Sequence, residues 1–179
     1  MAQAKKRSRT AAYESLHDLL ILKLRSLLDI ETEITKALPK LAKAAQDEKL
    51  REALTSHLEE TKGQAERLTQ ALELLRDTAQ RKSKVEAIRG LAKDAAWIVK
   101  SIKSPAARDA LIIAAAQYVE LYEIAGYGTA AAWADQMGHE KVSALLRETL
   151  EEEGAANKKL NAIALDRVNS AVPTEMSEG

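Results

Sequence analysis

The sequence contains no cysteine and no phenylalanine, and its 179 residues include only three prolines and seven glycines. Without cysteine the chain has no disulfide, no thiolate ligand for a metal and no cysteine nucleophile. Few prolines and glycines leave few helix breakers, while Ala, Leu, Glu and Lys dominate the composition. This composition is typical of long packed helices, and the length suits one domain.

An excess of either charge is also missing, because 27 Lys and Arg residues balance 27 Asp and Glu residues. A nucleic-acid partner is therefore not expected, since such proteins normally have a basic excess. Only residues 1–10 are locally basic, and we predict that they form a disordered, solvated tail. No signal peptide and no uncharged apolar run of membrane length is evident, which predicts a cytoplasmic protein with no membrane partner.

Apolar residues recur at intervals of three and four along most of the chain, as on one face of a helix. The pattern predicts five helices: residues 11–44 after an N-cap at Thr10, a helix capped by Asp47 that frays near 77–83, then 84–103, 105–136 and 140–168. Pro39 should kink or break the first of them, since it cannot donate its backbone hydrogen bond. Ser104 before Pro105 favours a helix start there, and Gly138 suits a helix end.

Two long helices, a crossover and two more long helices predict an all-α, ferritin-like four-helix bundle with a long helical crossover between helices 2 and 4. The bundle should cover residues 11–168, and residues 169–179 should form a second disordered tail because they have little to bury. Carboxylate metal sites are built in the core of bundles with this topology.

Two carboxylates, Glu120 and Glu123, interrupt the apolar face of the fourth helix, in line with Ile113 and Tyr127. Burying adjacent carboxylates is costly, because each loses its hydration and the two repel. They need protons, basic partners or a cation. The face therefore indicates a polar site inside the bundle.

The other long helices also have acidic residues near their apolar faces. In the fifth helix Glu151, Glu152 and Glu153 are consecutive, and packing alone leaves Glu152 and Glu153 as alternatives. A faint internal repeat between the segments at His57 and Thr149 favours Glu152. The candidate metal ligands are then Glu31, His57, Glu60, Glu120, Glu123 and Glu152. We predict that Glu123 is a bridging ligand and Glu120 a terminal one.

Oxygen ligands with one imidazole suit iron(II), manganese(II) or zinc(II), and a pair of cations would neutralise the buried charge. The usual Glu-x-x-His motif is absent, since helix 2 has the reverse order from His57 to Glu60, so a mononuclear site is an alternative. The simpler interpretations are rim ion pairs for Glu31 and Glu60 and a hydrogen-bonded interface residue for His57. Tyr127 is most simply a packing residue whose hydroxyl reaches a polar partner.

Several segments resemble a known family, the bacterial ferritin-like stress proteins of the YciE/YciF type. They are Ala37–Ala42, His57–Thr61, Ala115–Glu120, Tyr122–Ile124, Tyr127–Thr129 and Glu148–Glu153, in the same order and spacing. The resemblance spans about Leu16 to Leu165 and implies a ferritin-like bundle that often dimerises, with a di-metal centre. Leu28, where an aromatic is common, and Asn157, where an aspartate is common, depart from the pattern.

The expected function is a stress-related metal-binding protein with a carboxylate-bridged centre of two iron ions, manganese and zinc being the alternatives. If the metal is redox-active, a di-iron oxidase or peroxidase type of activity would follow. The main rival is a metal-free, dimeric helical protein with a structural or interaction role. Under both hypotheses the expected protein partner is a second copy of the chain.

Overall fold

The computed structural model describes residues 13–77 and 86–174. Within these ranges the protein is all-helical and contains no strand. The α-helices are α1 (Leu16–Ala44), α2 (Glu48–Leu74), α3 (Glu86–Ser101), α4 (Pro105–Gln136) and α5 (Glu140–Ile163). A π-helical turn (Ala164–Val168) and a 3-10 turn (Asn169–Ala171) follow.

The helix starts are fixed by short polar side chains. Ser15 caps α1 and forms a capping box with Asp18, so the described helix starts at Leu16 rather than near residue 11. The expected cap at Thr10 lies outside the described residues. The caps predicted at Asp47 and Ser104 are confirmed, since each side chain accepts a backbone N–H of the first turn.

Of the kink or short break predicted at Pro39, the break is wrong, because α1 continues through Pro39 to Ala44. Leu38 and Leu41, on either side of it, are buried in the core. Their packing holds the helix despite the missing hydrogen bond, since tertiary contacts supply most of a helix's stability in a protein.

The end of the chain is more ordered than the sequence predicted. Val168 is buried with 3% of its surface exposed, and the 3-10 turn at residues 169–171 packs against α4. The start of the disordered tail at residue 169 is therefore wrong. Residues 1–12 and 175–179, which include the rest of both predicted tails, lie outside the described residues.

Two helical hairpins form the bundle. α1 packs along α2 and α4 along α5, while contacts of α2 with α5 and of α1 with α4 close the four-helix arrangement. The crossover α3 lies against α1 and α4. The predicted four-helix bundle with a helical crossover is confirmed, and it places the middles of α1, α2, α4 and α5 around one core.

Among the described residues, no helix is both long enough and apolar enough to cross a bilayer.

Candidate metal centre

Five ionisable side chains meet inside the bundle. They are Glu31 from α1, His57 from α2, Glu120 and Glu123 from α4, and Glu153 from α5, and none has more than 7% of its surface exposed. Charged groups are rarely buried at this depth unless they are paired or bind a metal. The cluster is therefore the strongest candidate for a functional site among the described residues.

Glu31 is held by a neighbouring tyrosine. The hydroxyl of Tyr127, which is fully buried, donates a hydrogen bond to Glu31 Oε1. The other oxygen, Oε2, has no hydrogen-bond partner among the described residues. Burial raises the pKa of Glu31 to about 7, even though the tyrosine hydrogen bond favours the ionised form. The predicted polar partner for the Tyr127 hydroxyl is thus Glu31.

Glu123 and Glu153 are more isolated from protein donors. No N–H or hydroxyl group of the described residues donates a hydrogen bond to either carboxyl group. Glu123 instead adjoins the carboxyl group of Glu31, and Glu153 adjoins that of Glu120. Burial raises the pKa of Glu153 to about 9 and raises that of Glu123 well above its ordinary range. Such groups need protons or a cation, because a buried unpaired carboxylate is strongly unfavourable.

His57 has one ring nitrogen oriented by a surface carboxylate and one directed inward. Its Nδ1 lies 3.3 Å from Glu60 Oε2. Its Nε2 lies 3.3 Å from Glu120 Oε1, but the two atoms are not oriented for a hydrogen bond. Burial lowers the pKa of His57, but the hydrogen bond to Glu60 and the charge of Glu153 outweigh it, so the pKa is raised.

The cluster divides into two groups of three possible metal ligands that share one member. One group contains His57, Glu120 and Glu153, and the other contains Glu31, Glu123 and Glu153. In each group the candidate ligand atoms lie within 4.8 Å of one another. Glu153 belongs to both groups and so has the position of a bridging carboxylate, whereas the sequence analysis predicted that role for Glu123, which joins only one group.

The choice of Glu152 as the inward residue of α5 is wrong. Its side chain is 32% exposed and accepts hydrogen bonds from Arg67 and from Gln64 Nε2, the latter at 3.1 Å. Glu153 has no exposed surface, because it shares a helical face with the buried Leu146 and Leu160. This was the alternative register, and the faint repeat misled because glutamates are common on these helices.

Glu60 is also outside both groups. Its side chain is 41% exposed, and the hydrogen bond from His57 lowers its pKa. A carboxylate that accepts from the outer nitrogen of a metal-binding histidine fixes the ring orientation and tautomer. Glu60 therefore fits an orienting role better than a ligand role, and spacing alone does not separate the two.

Arg67 and Asn157 make hydrogen bonds between helices close to the cluster. Arg67 donates from Nε to Thr149 and from Nη1 to Glu148, both at 3.0 Å, and these contacts explain why the outer carboxylates of α5 face α2. No spacing motif marks Arg67 in the sequence, and its position beside the apolar Leu68 is the one signal of this pairing. Asn157 accepts a hydrogen bond from Gln117 Nε2 at 3.2 Å.

A family model described as "Domain of unknown function (DUF892)" matches residues 15–172, which is most of the chain. The chain belongs to the DUF892 family. Among its relatives is the protein YciF of Escherichia coli (strain K12), which is 44% identical over 156 residues, covering 87% of this chain and 94% of that protein.

Solved structures agree with this assignment to DUF892. The crystal structure of the E. coli stress protein YciF matches with a TM-score of 0.83 and 44% identity, covering 87% of this chain and 98% of that one. YcfI from Rhodopseudomonas palustris matches with a TM-score of 0.80, the same identity and the same coverage. A protein from Xanthomonas campestris pv. campestris, at 18% identity and a TM-score of 0.67, shares the fold. The resemblance noted from the sequence is confirmed.

Proposed function

We propose that this DUF892 protein binds two divalent metal ions in the core of the bundle. One ion would be held by His57 and Glu120, the other by Glu31 and Glu123, and Glu153 would contribute to both. The observation that carries the proposal is the set of buried carboxylate oxygens that receive no hydrogen bond from an N–H or hydroxyl group, grouped around one shared glutamate. The relative YciF is described as a stress protein, which supports a stress-related role here.

The donor set fits a pair of divalent cations. The four buried glutamates of the two groups would carry four negative charges when ionised, which two divalent ions would balance. Carboxylates with one imidazole suit iron(II), manganese(II) and zinc(II), and iron is the metal that we propose. Glu60 would accept a hydrogen bond from the Nδ1–H group of His57, which leaves the inward Nε2 free to bind a metal ion.

The remaining residues would prepare the site. Tyr127 holds Glu31 Oε1, so that the unpartnered Oε2 is available to an ion. Burial of these groups among the apolar side chains of α1 and α4 lowers the local dielectric, which strengthens binding between carboxylates and cations. Bound iron would supply one-electron redox chemistry toward oxygen or peroxide, and an oxidase or peroxidase type of activity is the corresponding enzymatic proposal.

Metal analysis of the purified protein tests the proposal directly. Protein prepared with iron(II) should hold about two ions per chain, as expected for a di-metal carboxylate site, measured by atomic emission after gel filtration. Glu153→Gln should lose most of both ions because it removes the shared ligand. The matched control is Glu152→Gln. Glu152 is the neighbouring residue but is paired with Arg67, so this variant should keep both ions. Trace metal in the wild type, with no change in melting temperature on adding iron(II), manganese(II) or zinc(II), would refute a metal site.

The rival function, a metal-free dimeric helical protein, has its own support. Leu111, Tyr118 and Tyr122 are exposed on one face of α4, with Leu121 beside them. Exposed apolar patches commonly mark protein interaction surfaces, and a second copy of the chain is the partner that we predict. Under this rival, Glu123→Ala would leave stability unchanged or raise it, because it removes a costly buried carboxyl group. Under the metal hypothesis the same variant loses an ion.

A further inference from the structure

An apolar cavity lies between the crossover helix and the bundle. It has a volume of about 40 Å³, measured as the space open to the centre of a water-sized sphere, and it is bounded mainly by α1, α3 and α4. Small side chains leave the space open: Ala37 on α1, Ala92 and Ala95 on α3, and Ala115 and Ala116 on α4. The crossover therefore leaves a cleft along the bundle that is partly open to solvent, since Ala37 and Ala92 are only half-buried.

The cavity reaches the buried polar cluster. His57 and Glu120 both line it, and they are only 7% and 2% exposed. His57 Nε2 lies 3.3 Å from Glu120 Oε1 without a hydrogen bond, and no N–H or hydroxyl group of the described residues donates to Glu120 Oε2. Apart from these two and Glu33, every residue of the lining is apolar. One end of an otherwise apolar space thus borders the polar pair of His57 and Glu120.

The opposite side of the same two residues is different in character. A smaller cavity of about 20 Å³ borders His57 and Glu120 from the side of α2 and α5, and its lining includes the charged Glu60 and Lys159. Glu60 and Lys159 can pair with charged groups in the smaller cavity, whereas the lining on the α3 side consists mostly of alkyl groups. The two approaches to the cluster therefore favour different chemistry.

We propose that the cavity under α3 binds a small, uncharged, apolar molecule of about the size of dioxygen and holds it beside His57 and Glu120. A water molecule needs roughly 10–15 Å³ on this measure together with two to four polar partners. The space is large enough for a diatomic molecule, but most of its wall offers no hydrogen bond. Apolar walls of this kind hold water weakly, and apolar cavities accept apolar ligands such as xenon. Only the use of the ligand in metal chemistry rests on the proposed function; the binding itself does not.

Xenon is the probe for this site, because it is apolar and needs no metal. In methyl-labelled protein under xenon pressure, the methyl resonances of Ile34 and Ile88, which line the cavity, should shift in a saturable way. Those of Ile112 and Ile163, buried elsewhere, should not. The shifts should be present both in chelator-treated protein and after iron(II) is added.

Filling the cavity should abolish the effect. Ala92→Leu extends a half-buried lining residue into the space, and Ala96→Leu makes the same change at an exposed position of α3 that does not line it. The first variant should lose the xenon shifts and the second should keep them. If Ala92→Leu does not fold, Ala37→Leu fills the space from α1 instead.

The proposal is overturned if xenon leaves Ile34 and Ile88 unshifted in the wild type, or if the filled variant responds as the wild type does. Loss of metal binding with intact xenon shifts would instead count only against the proposed metal function. The two failures are therefore distinguishable.

Discussion

At the scale of single residues, the centre depends on which atoms lack protein partners. Glu123 and Glu153 have no donor for any carboxylate oxygen, whereas Glu31 has one, the hydroxyl of Tyr127. Outer partners of this kind orient a ligand, and their loss typically costs tenfold to a hundredfold in metal affinity. Tyr127 is therefore as informative a target as the glutamates.

Tyr127→Phe should weaken metal binding by about tenfold or more, because Glu31 loses the hydrogen bond that fixes its orientation. The metal-free variant should also lose about 1–2 kcal/mol of unfolding free energy, as expected when a buried hydrogen bond is removed. Competition with a chelator of known affinity gives the first quantity, and urea unfolding gives the second.

Tyr118→Phe is the matched control, since Tyr118 lies on the same helix but is 63% exposed. It should change neither quantity. Unchanged affinity in Tyr127→Phe would show that Glu31 needs no orienting partner.

At the scale of elements, the two helical hairpins are joined by a carboxylate that is not part of the cluster. Asp109, on the first turns of α4, is only 2% exposed and accepts the backbone N–H groups of Gln46 and Asp47, the latter at 2.7 Å. These amides lie in the turn between α1 and α2, which leaves them without helical partners. The contact fixes the start of α4 against the first hairpin.

Asp109→Ala should lower the unfolding free energy by about 2 kcal/mol, the usual range for a lost hydrogen bond to a charged acceptor. Urea unfolding monitored by circular dichroism measures the change. Asp94→Ala, at an exposed position of α3, is the control and should change stability little. Equal stability of the two variants would mean that water replaces Asp109 without cost.

At the scale of the whole molecule, the buried acids link stability to pH. Burial raises the pKa of Glu120 to about 7 and that of Glu153 to about 9, from an ordinary value of 4.5. Between pH 4.5 and the raised pKa of each group, the native state keeps a proton that the unfolded chain has released. The raised pKa of His57 acts in the same direction. Metal-free protein should therefore become less stable as pH rises.

Urea unfolding of chelator-treated protein between about pH 5 and pH 9 should show this decline across the pKa window. The pKa shift of Glu120 from 4.5 to about 7 corresponds to a loss of roughly 3 kcal/mol of unfolding free energy, at about 1.36 kcal/mol per pKa unit. Saturating metal should reverse the trend, since binding needs deprotonated carboxylates. A flat profile without metal would mean that the carboxyl groups are paired or hydrated in solution.

Much of this protein follows from its sequence alone. Apolar periodicity, capping residues at Asp47 and Ser104 and the scarcity of helix breakers predict the helices and the order of the bundle, because these signals are local. The same periodicity predicts that Glu31, His57, Glu120 and Glu123 face inward, as they do. Whether they bind metal stays a prediction.

Only the tertiary structure decided the details that depend on several helices at once. It chose Glu153 over Glu152, since Arg67 on the facing helix pairs with Glu152 and the core encloses Glu153. It kept α1 continuous through Pro39, because packing on both sides outweighs one missing hydrogen bond. A run of three glutamates has no local preference that distinguishes its members; the neighbouring helix supplies it.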